Sequence, residues 1–148
     1  MEVQPDFKYL LELFNAHNVE YMIIGGYALA YHGAPRYTGD IDIFVKPDNI
    51  NAARILSALE IFGFGLIGLT IKDFQTPDNV IQLGVPPVRI DIVTSITGVS
   101  WDDAISGCVD GKYGDISVKY IGLQEFIVNK RATGRKRDIS DLESLDQE

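Results

Sequence analysis

The chain has a single cysteine, Cys108, among its 148 residues. That excludes an internal disulfide and leaves no thiolate cluster to hold a metal. Long apolar runs are absent as well. The longest nearly apolar stretch, Tyr21 to Tyr31, falls short of the about 20 residues that span a bilayer. The opening residues, MEVQPDFK, lack the basic-then-apolar form of a signal peptide. Internal repeats, low-complexity tracts and linkers are missing too. Basic residues are scarce: 13 stand against 21 acidic ones, for a net charge of -8. A protein whose whole surface grips nucleic acid is therefore not expected. These absences lead to the expectation of a cytoplasmic protein with no membrane partner. What is present, at 46% hydrophobic residues, suffices for one domain over 1–148 with a real core.

Phe7, Leu10, Leu11 and Phe14 recur at helical spacing and predict a helix ending near His17 and Asn18. Tyr21 to Ile24 reads as a strand, Gly25-Gly26 as a turn, and Tyr27 to His32 as a short helix broken by Gly33 and Pro35. Asp40 to Val45 is a strand with Ile41, Ile43 and Val45 on the core face. Asp48 is placed to cap a helix that turns Ala52, Ile55, Leu56 and Leu59 inward. The stretch 63–76 reads weakly, with a short strand expected near Leu66 to Ile71. Val80 to Leu83 and Val88 to Val93 read as strands around a Gly84-Val-Pro-Pro87 turn. Ser100 caps a short helix, and Ile116 to Ile121 forms a further strand. Leu123 to Ala132 is a helix, and Ile139, Leu142 and Leu145 suggest a last one. Strands and helices mixed without strict alternation favour an α+β fold.

The chemistry concentrates in YMIIGGYALAYHGAPRYTGDIDIFV, Tyr21 to Val45. Glycines let backbone N–H groups come close to a phosphate. Asp40 and Asp42, two apart on a strand, point to one face. Asp91 lies on another apolar run, VRIDIV, where it can also pair with Arg89 on the same face. Clustered carboxylates repel unless a cation answers them. Hard oxygen ligands of this kind suit Mg²⁺. Two such ions, about 4 Å apart, are what nucleotidyl transfer from a triphosphate requires. Asp40 and Asp42 can bridge the pair, and Asp91 can complete the ion nearer the acceptor and help take its proton. Lys130, Arg131, Arg135, Lys136 and Arg137 put five of the 13 basic residues into eight positions. Such a run can face phosphates, or it can be a solvated helix end.

Gly25-Gly26, thirteen intervening residues, Asp40-Ile41-Asp42 and the distant Asp91 resemble the nucleotidyltransferase superfamily of DNA polymerase beta-like folds. The segment GGYALAYHGAPRYTGDID is similar to small bacterial members, among them toxin–antitoxin components and aminoglycoside nucleotidyltransferases. The resemblance implies a mixed β-sheet flanked by helices, with a short C-terminal helical tail. It implies Mg²⁺ at Asp40, Asp42 and Asp91, and nucleotide phosphates at the backbone of Gly25 and Gly26. Arg36 and Thr38 lie in the loop entering the Asp40–Asp42 strand as candidates for the nucleotide site, and by position Arg36 can meet the triphosphate or form a loop salt bridge. Lys130 or Arg131 is carried over as a contact to the outer phosphates. Asp138 and Asp141 are expected as helix caps and salt-bridge partners of the basic run. The implied activity moves a nucleoside monophosphate from an NTP to a hydroxyl of a tRNA, a protein or a small molecule. A non-catalytic nucleotide-binding module, or the partner protein of a toxin–antitoxin pair, is the alternative. Gly26 departs from the serine that many members carry there.

Overall fold

A central pair of parallel strands carries all three aspartates, and the rest of the fold is built outward from it. The computed structural model describes residues 3–35, 38–65, 67–85 and 88–145. The helices are α1 Pro5–Ala16, α2 Gly25–Tyr31, α3 Asn49–Leu59, α4 Ile71–Gln75, α5 Trp101–Gly107, α6 Leu123–Thr133 and α7 Lys136–Ser144. The strands are β1 Tyr21–Ile24, β2 Asp40–Val45, β3 Val80–Val85, β4 Val88–Val93, β5 Val109–Tyr113 and β6 Ile116–Tyr120. They form one sheet in the order β3-β4-β2-β1-β6-β5. β2 runs parallel to β4 and antiparallel to β1, while β1 runs parallel to β6. The sheet is therefore mixed and the class α+β, as expected.

Local chemistry accounts for most element boundaries. α1 starts with a proline in its first turn and buries Phe7, Leu10, Leu11 and Phe14. The Asp48 carboxylate accepts from the Asn51 backbone N–H and caps α3. Asn51 is itself buried and joins three elements. Its amide donates to the carbonyls of Glu20 and Lys46, and its oxygen accepts from the Glu20 N–H. The start of β1 and the end of β2 are thereby tied to α3. Ser100 caps α5 through the Asp103 N–H.

Four expectations need correction. Gly25 and Gly26 are not a turn ahead of the helix; they are its first two residues. The described part of 63–76 holds no strand, and Leu66 lies outside the described residues. A π-helical turn, Glu60–Phe64, continues α3. Then α4 forms on a capping box between Thr70 and Asp73 and buries Phe74. At the next turn, β3 runs on through Gly84 to Val85, while Pro86 and Pro87 lie outside the described residues. Lastly, β5 was not expected, since VDGKY has weak strand propensity. It forms because β6 pairs with it along its whole length.

Candidate nucleotidyl-transfer site

β2 presents Ile41, Ile43 and Val45 to the core and Asp40 and Asp42 to the opposite face. The parallel register with β4 sets Asp42 directly beside Asp91 and Asp40 directly beside Arg89. Three carboxylates thus share one face of two central strands. Farther along that face Phe44 is covered by the Trp101 ring of α5, at 5.0 Å between centroids.

Negative charge accumulates at Asp42. Burial is the first cause that pushes its carboxyl up to about 6. The Asp91 charge, a hydrogen bond shared with Asp91 and the Asp40 charge push the same way, and Lys130 opposes them. At neutral pH the site is thus short of positive charge, and its hard oxygen donors fit a divalent cation. Among the described residues, no three acidic, histidine or cysteine side chains already gather as a metal shell. Asp91 explains part of this. The Arg89 Nε donates to its Oδ1 at 2.8 Å and Nη2 to its Oδ2 at 3.0 Å. Nη2 also lies 3.0 Å from Oδ2 of Asp40.

The first glycine of the pair is required by this cluster. Gly25 has φ +67°, and a Cβ there would strike the Asp42 carboxylate. The chain therefore passes against the aspartate with no side chain between them. At Gly26 a Cβ would lie 3.0 Å from Cβ of Thr38 and 3.2 Å from its hydroxyl. The space a serine would need is filled by Thr38, whose hydroxyl donates to the Asp40 carbonyl at 3.0 Å. Thr38 thus supports the entry to β2. The first N–H groups of α2 have no intrahelical acceptor, and the N-cap residue Ile24 offers them no side-chain hydrogen bond. Arg36 lies outside the described residues.

The basic run is divided by the fold. Lys130 is buried, its ammonium 3.0 Å from Asp138 and 3.6 Å from Asp141. Arg135 bonds the second oxygen of Asp138 at 2.7 Å, and the Thr133 hydroxyl donates to the same atom. Burial alone would push the Asp138 carboxyl up; the bonds from Arg135, Thr133 and Lys130 outweigh it and hold the carboxyl well below its ordinary range. Arg131, Lys136 and Arg137 are exposed. Both Lys130 and Arg135 lie within electrostatic reach of Asp42. Asp138 and Asp141 are salt-bridge partners as expected, but they are not caps: Arg135 is the N-cap residue of α7.

Sequence reasoning gave Arg89 only as a pairing partner of Asp91 and missed its bridge to Asp40. The alternation of VRIDIV was the available signal, since it puts Arg89 and Asp91 on one face.

No described helix is long and apolar enough to cross a membrane. No curated protein matches the chain. Several solved structures share its fold. A Thermotoga maritima protein assigned as a nucleotidyltransferase superposes with a TM-score of 0.61 at 14% identity, over 98% of this chain and 93% of that one. The antibiotic-resistance factor ANT(2'')-Ia gives 0.61 at 12% identity, over 95% and 80%. The lincosamide antibiotic adenylyltransferase LnuA, solved with lincomycin, gives 0.58 at 15% identity, over 97% and 96%. At these identities the likeness concerns the fold. The sequence itself matches the family described as "Nucleotidyl transferase of unknown function (DUF2204)" across residues 4–148, and the chain belongs to that family.

Proposed function

We propose that this protein transfers a nucleoside monophosphate from an NTP to an acceptor hydroxyl in a Mg²⁺-dependent reaction. The observation that carries the reading is the register of β2 against β4, which puts Asp40, Asp42 and Asp91 on one face beside a side-chain-free glycine pair. Asp40 and Asp42 would hold the cation, or both ions of a two-metal pair, with Asp91 completing the ligands. When bound, the metal would neutralise the triphosphate and make the acceptor hydroxyl more acidic.

The chain's own residues supply the rest. Gly25 and Gly26 let the triphosphate approach the backbone of α2. Lys130 and Arg135 add positive potential beside Asp42. The acceptor oxygen forms a bond to the α-phosphorus as the bond to the β-phosphate oxygen breaks, and pyrophosphate leaves. Asp91, next to Asp42 on β4, is the group placed to take the acceptor's proton. ATP is the donor we favour, because the name of a structural neighbour, LnuA, describes an adenylyltransferase. A tRNA end, a protein side chain and a small molecule all offer the needed hydroxyl. A toxin–antitoxin setting is carried only by the resemblance of the Gly25 to Asp42 segment.

Calorimetric titration with ATP, GTP, CTP and UTP, with and without Mg²⁺, tests the reading. We expect Mg²⁺-dependent binding of one nucleotide, abolished by Asp42→Asn, and slow pyrophosphate release when an acceptor is supplied. Tight binding without pyrophosphate release against any acceptor class would instead indicate a nucleotide sensor. Unaltered binding by Asp42→Asn would remove the aspartate face from the site.

A further inference from the structure

Arg89 stands where a cation is needed. Its guanidinium engages both oxygens of Asp91 and one oxygen of Asp40. We propose that Arg89 is an internal counter-ion, which holds the place of a divalent cation between Asp40 and Asp91 and competes with metal for both carboxylates. The proposal rests on the function proposed above for its divalent cation, and it assigns Arg89 the role of a positioning residue that sets metal affinity.

Backbone register enforces the contact. Arg89 is the cross-strand neighbour of Asp40 and lies two residues before Asp91 on the same face. The Arg89 side chain is 26% exposed and that of Asp91 11%, so water screens the pair far less than a surface ion pair. A planar fork of donors holds both Asp91 oxygens while it reaches Asp40; an ammonium carries the same charge without that fixed fork. With one lone pair of each Asp91 oxygen engaged and a guanidinium charge beside them, a metal gains that ligand against the repulsion of Arg89. Asp42 receives no guanidinium contact among the described residues and shares a hydrogen bond with Asp91. The first ion is therefore expected nearer Asp42, where no guanidinium of the described residues competes, and Arg89 opposes its sharing with Asp91.

A purely structural tether and a counter-ion differ in one respect. Loss of a tether loosens the ligands and weakens metal binding. Loss of a competing cation strengthens it. Mn²⁺ titration of the nucleotide-free full chain, read by the electron paramagnetic resonance of free Mn²⁺, separates them for wild type, Arg89→Gln and Arg89→Lys. Circular dichroism checks folding of each. We expect Arg89→Gln to bind Mn²⁺ roughly tenfold more tightly than wild type, because one unit of opposing charge is gone. Arg89→Lys, which keeps the charge but lacks the fork, should fall between them, and it carries the test alone if Arg89→Gln does not fold without metal. Binding equal to or weaker than wild type in the folded variants overturns the proposal and leaves the proposed function standing. Absence of Mn²⁺ binding by all three proteins, with and without ATP, overturns both.

Discussion

Asp42 carries the strongest conflict between folding and function in the chain. It is pressed against Gly25, lies beside Asp91, and its carboxyl is pushed up to about 6, by burial first and then by Asp91 and Asp40. Folding raises this pKa above its unfolded value. The folded protein then holds the proton more tightly, so the group's favourable contribution is complete below about pH 4 and is lost as pH rises through about 6. Ionised Asp42 thus destabilises the metal-free protein at neutral pH. Asp42→Asn should raise the stability of that form by roughly 2 kcal/mol at pH 7.5 and leave it unchanged at pH 4. Urea unfolding at the two pH values checks this, and adding Mg²⁺ should narrow the gap by stabilising wild type alone. An equal gain at both pH values would mean that packing, not charge, is responsible. A substitution that stabilises the fold while removing a proposed metal ligand is what a functional carboxylate predicts.

At the scale of elements, what could be read from the sequence was what short-range pattern encodes. The apolar stripe of α1, the alternation of β2 and β4, and the caps Asp48 and Ser100 are all local, and the elements form where those signals lie. β5 was illegible because VDGKY has weak strand propensity of its own, and only its pairing with the next strand, β6, makes it one. A Cβ on Gly111 would strike the Tyr31 and Tyr120 rings, so a residue that disfavours strands is required in one. In α7, Ile139, Leu142 and Leu145 marked the helix but not its buried charges: Ile139 is 46% exposed while Asp138 and Asp141 are buried. Gly134, left-handed at φ 65°, ends α6 and turns α7 back so that both aspartates meet Lys130. A pair eight residues apart across a turn leaves no mark in helical periodicity. Within the site, the paired aspartates and glycines were legible. Arg89's double contact was not, because it depends on which strand lies beside β2.

The α6–α7 corner therefore stands on charge as well as on apolar packing, and removing one partner should be costly. Lys130→Met leaves Asp138 buried without its ammonium and should destabilise the protein by about 3 kcal/mol. Asp138→Asn should cost less, and the double variant less than the sum of the two. Its pKa is depressed on folding, so the Asp138 contribution is present above the ordinary carboxylate value and lost as pH falls below it. The gap between wild type and Asp138→Asn should accordingly narrow from pH 7 to pH 3, closing fully only as pH falls through the depressed folded value. Denaturant unfolding of the four proteins at pH 7 and pH 3 gives both results. Simple additivity would show that the lysine and the aspartate act independently.

Across the whole molecule, an acidic protein has to admit a polyanionic substrate. The net charge is -8, and the candidate site itself presents three aspartates. Repulsion of an NTP is offset at one corner, where Arg131, Lys136 and Arg137 are exposed and Arg135 reaches Asp42 electrostatically. With Lys130 and Arg135 committed to Asp138, these three side chains make no ion pair among the described residues and are free to meet the solvent field. Their expected role is to draw the triphosphate in, a contribution that salt screens within about 10 Å at 0.1 M. The triple variant Arg131→Ala, Lys136→Ala, Arg137→Ala should bind Mg²⁺–NTP several-fold more weakly at low salt. Its affinity should also fall less steeply than that of wild type as salt rises, until the two converge near 0.5 M. A constant ratio at every salt concentration would point to direct phosphate contacts in place of steering. No difference at any salt would leave Arg131 outside the nucleotide site and return the corner to a solvated helix end.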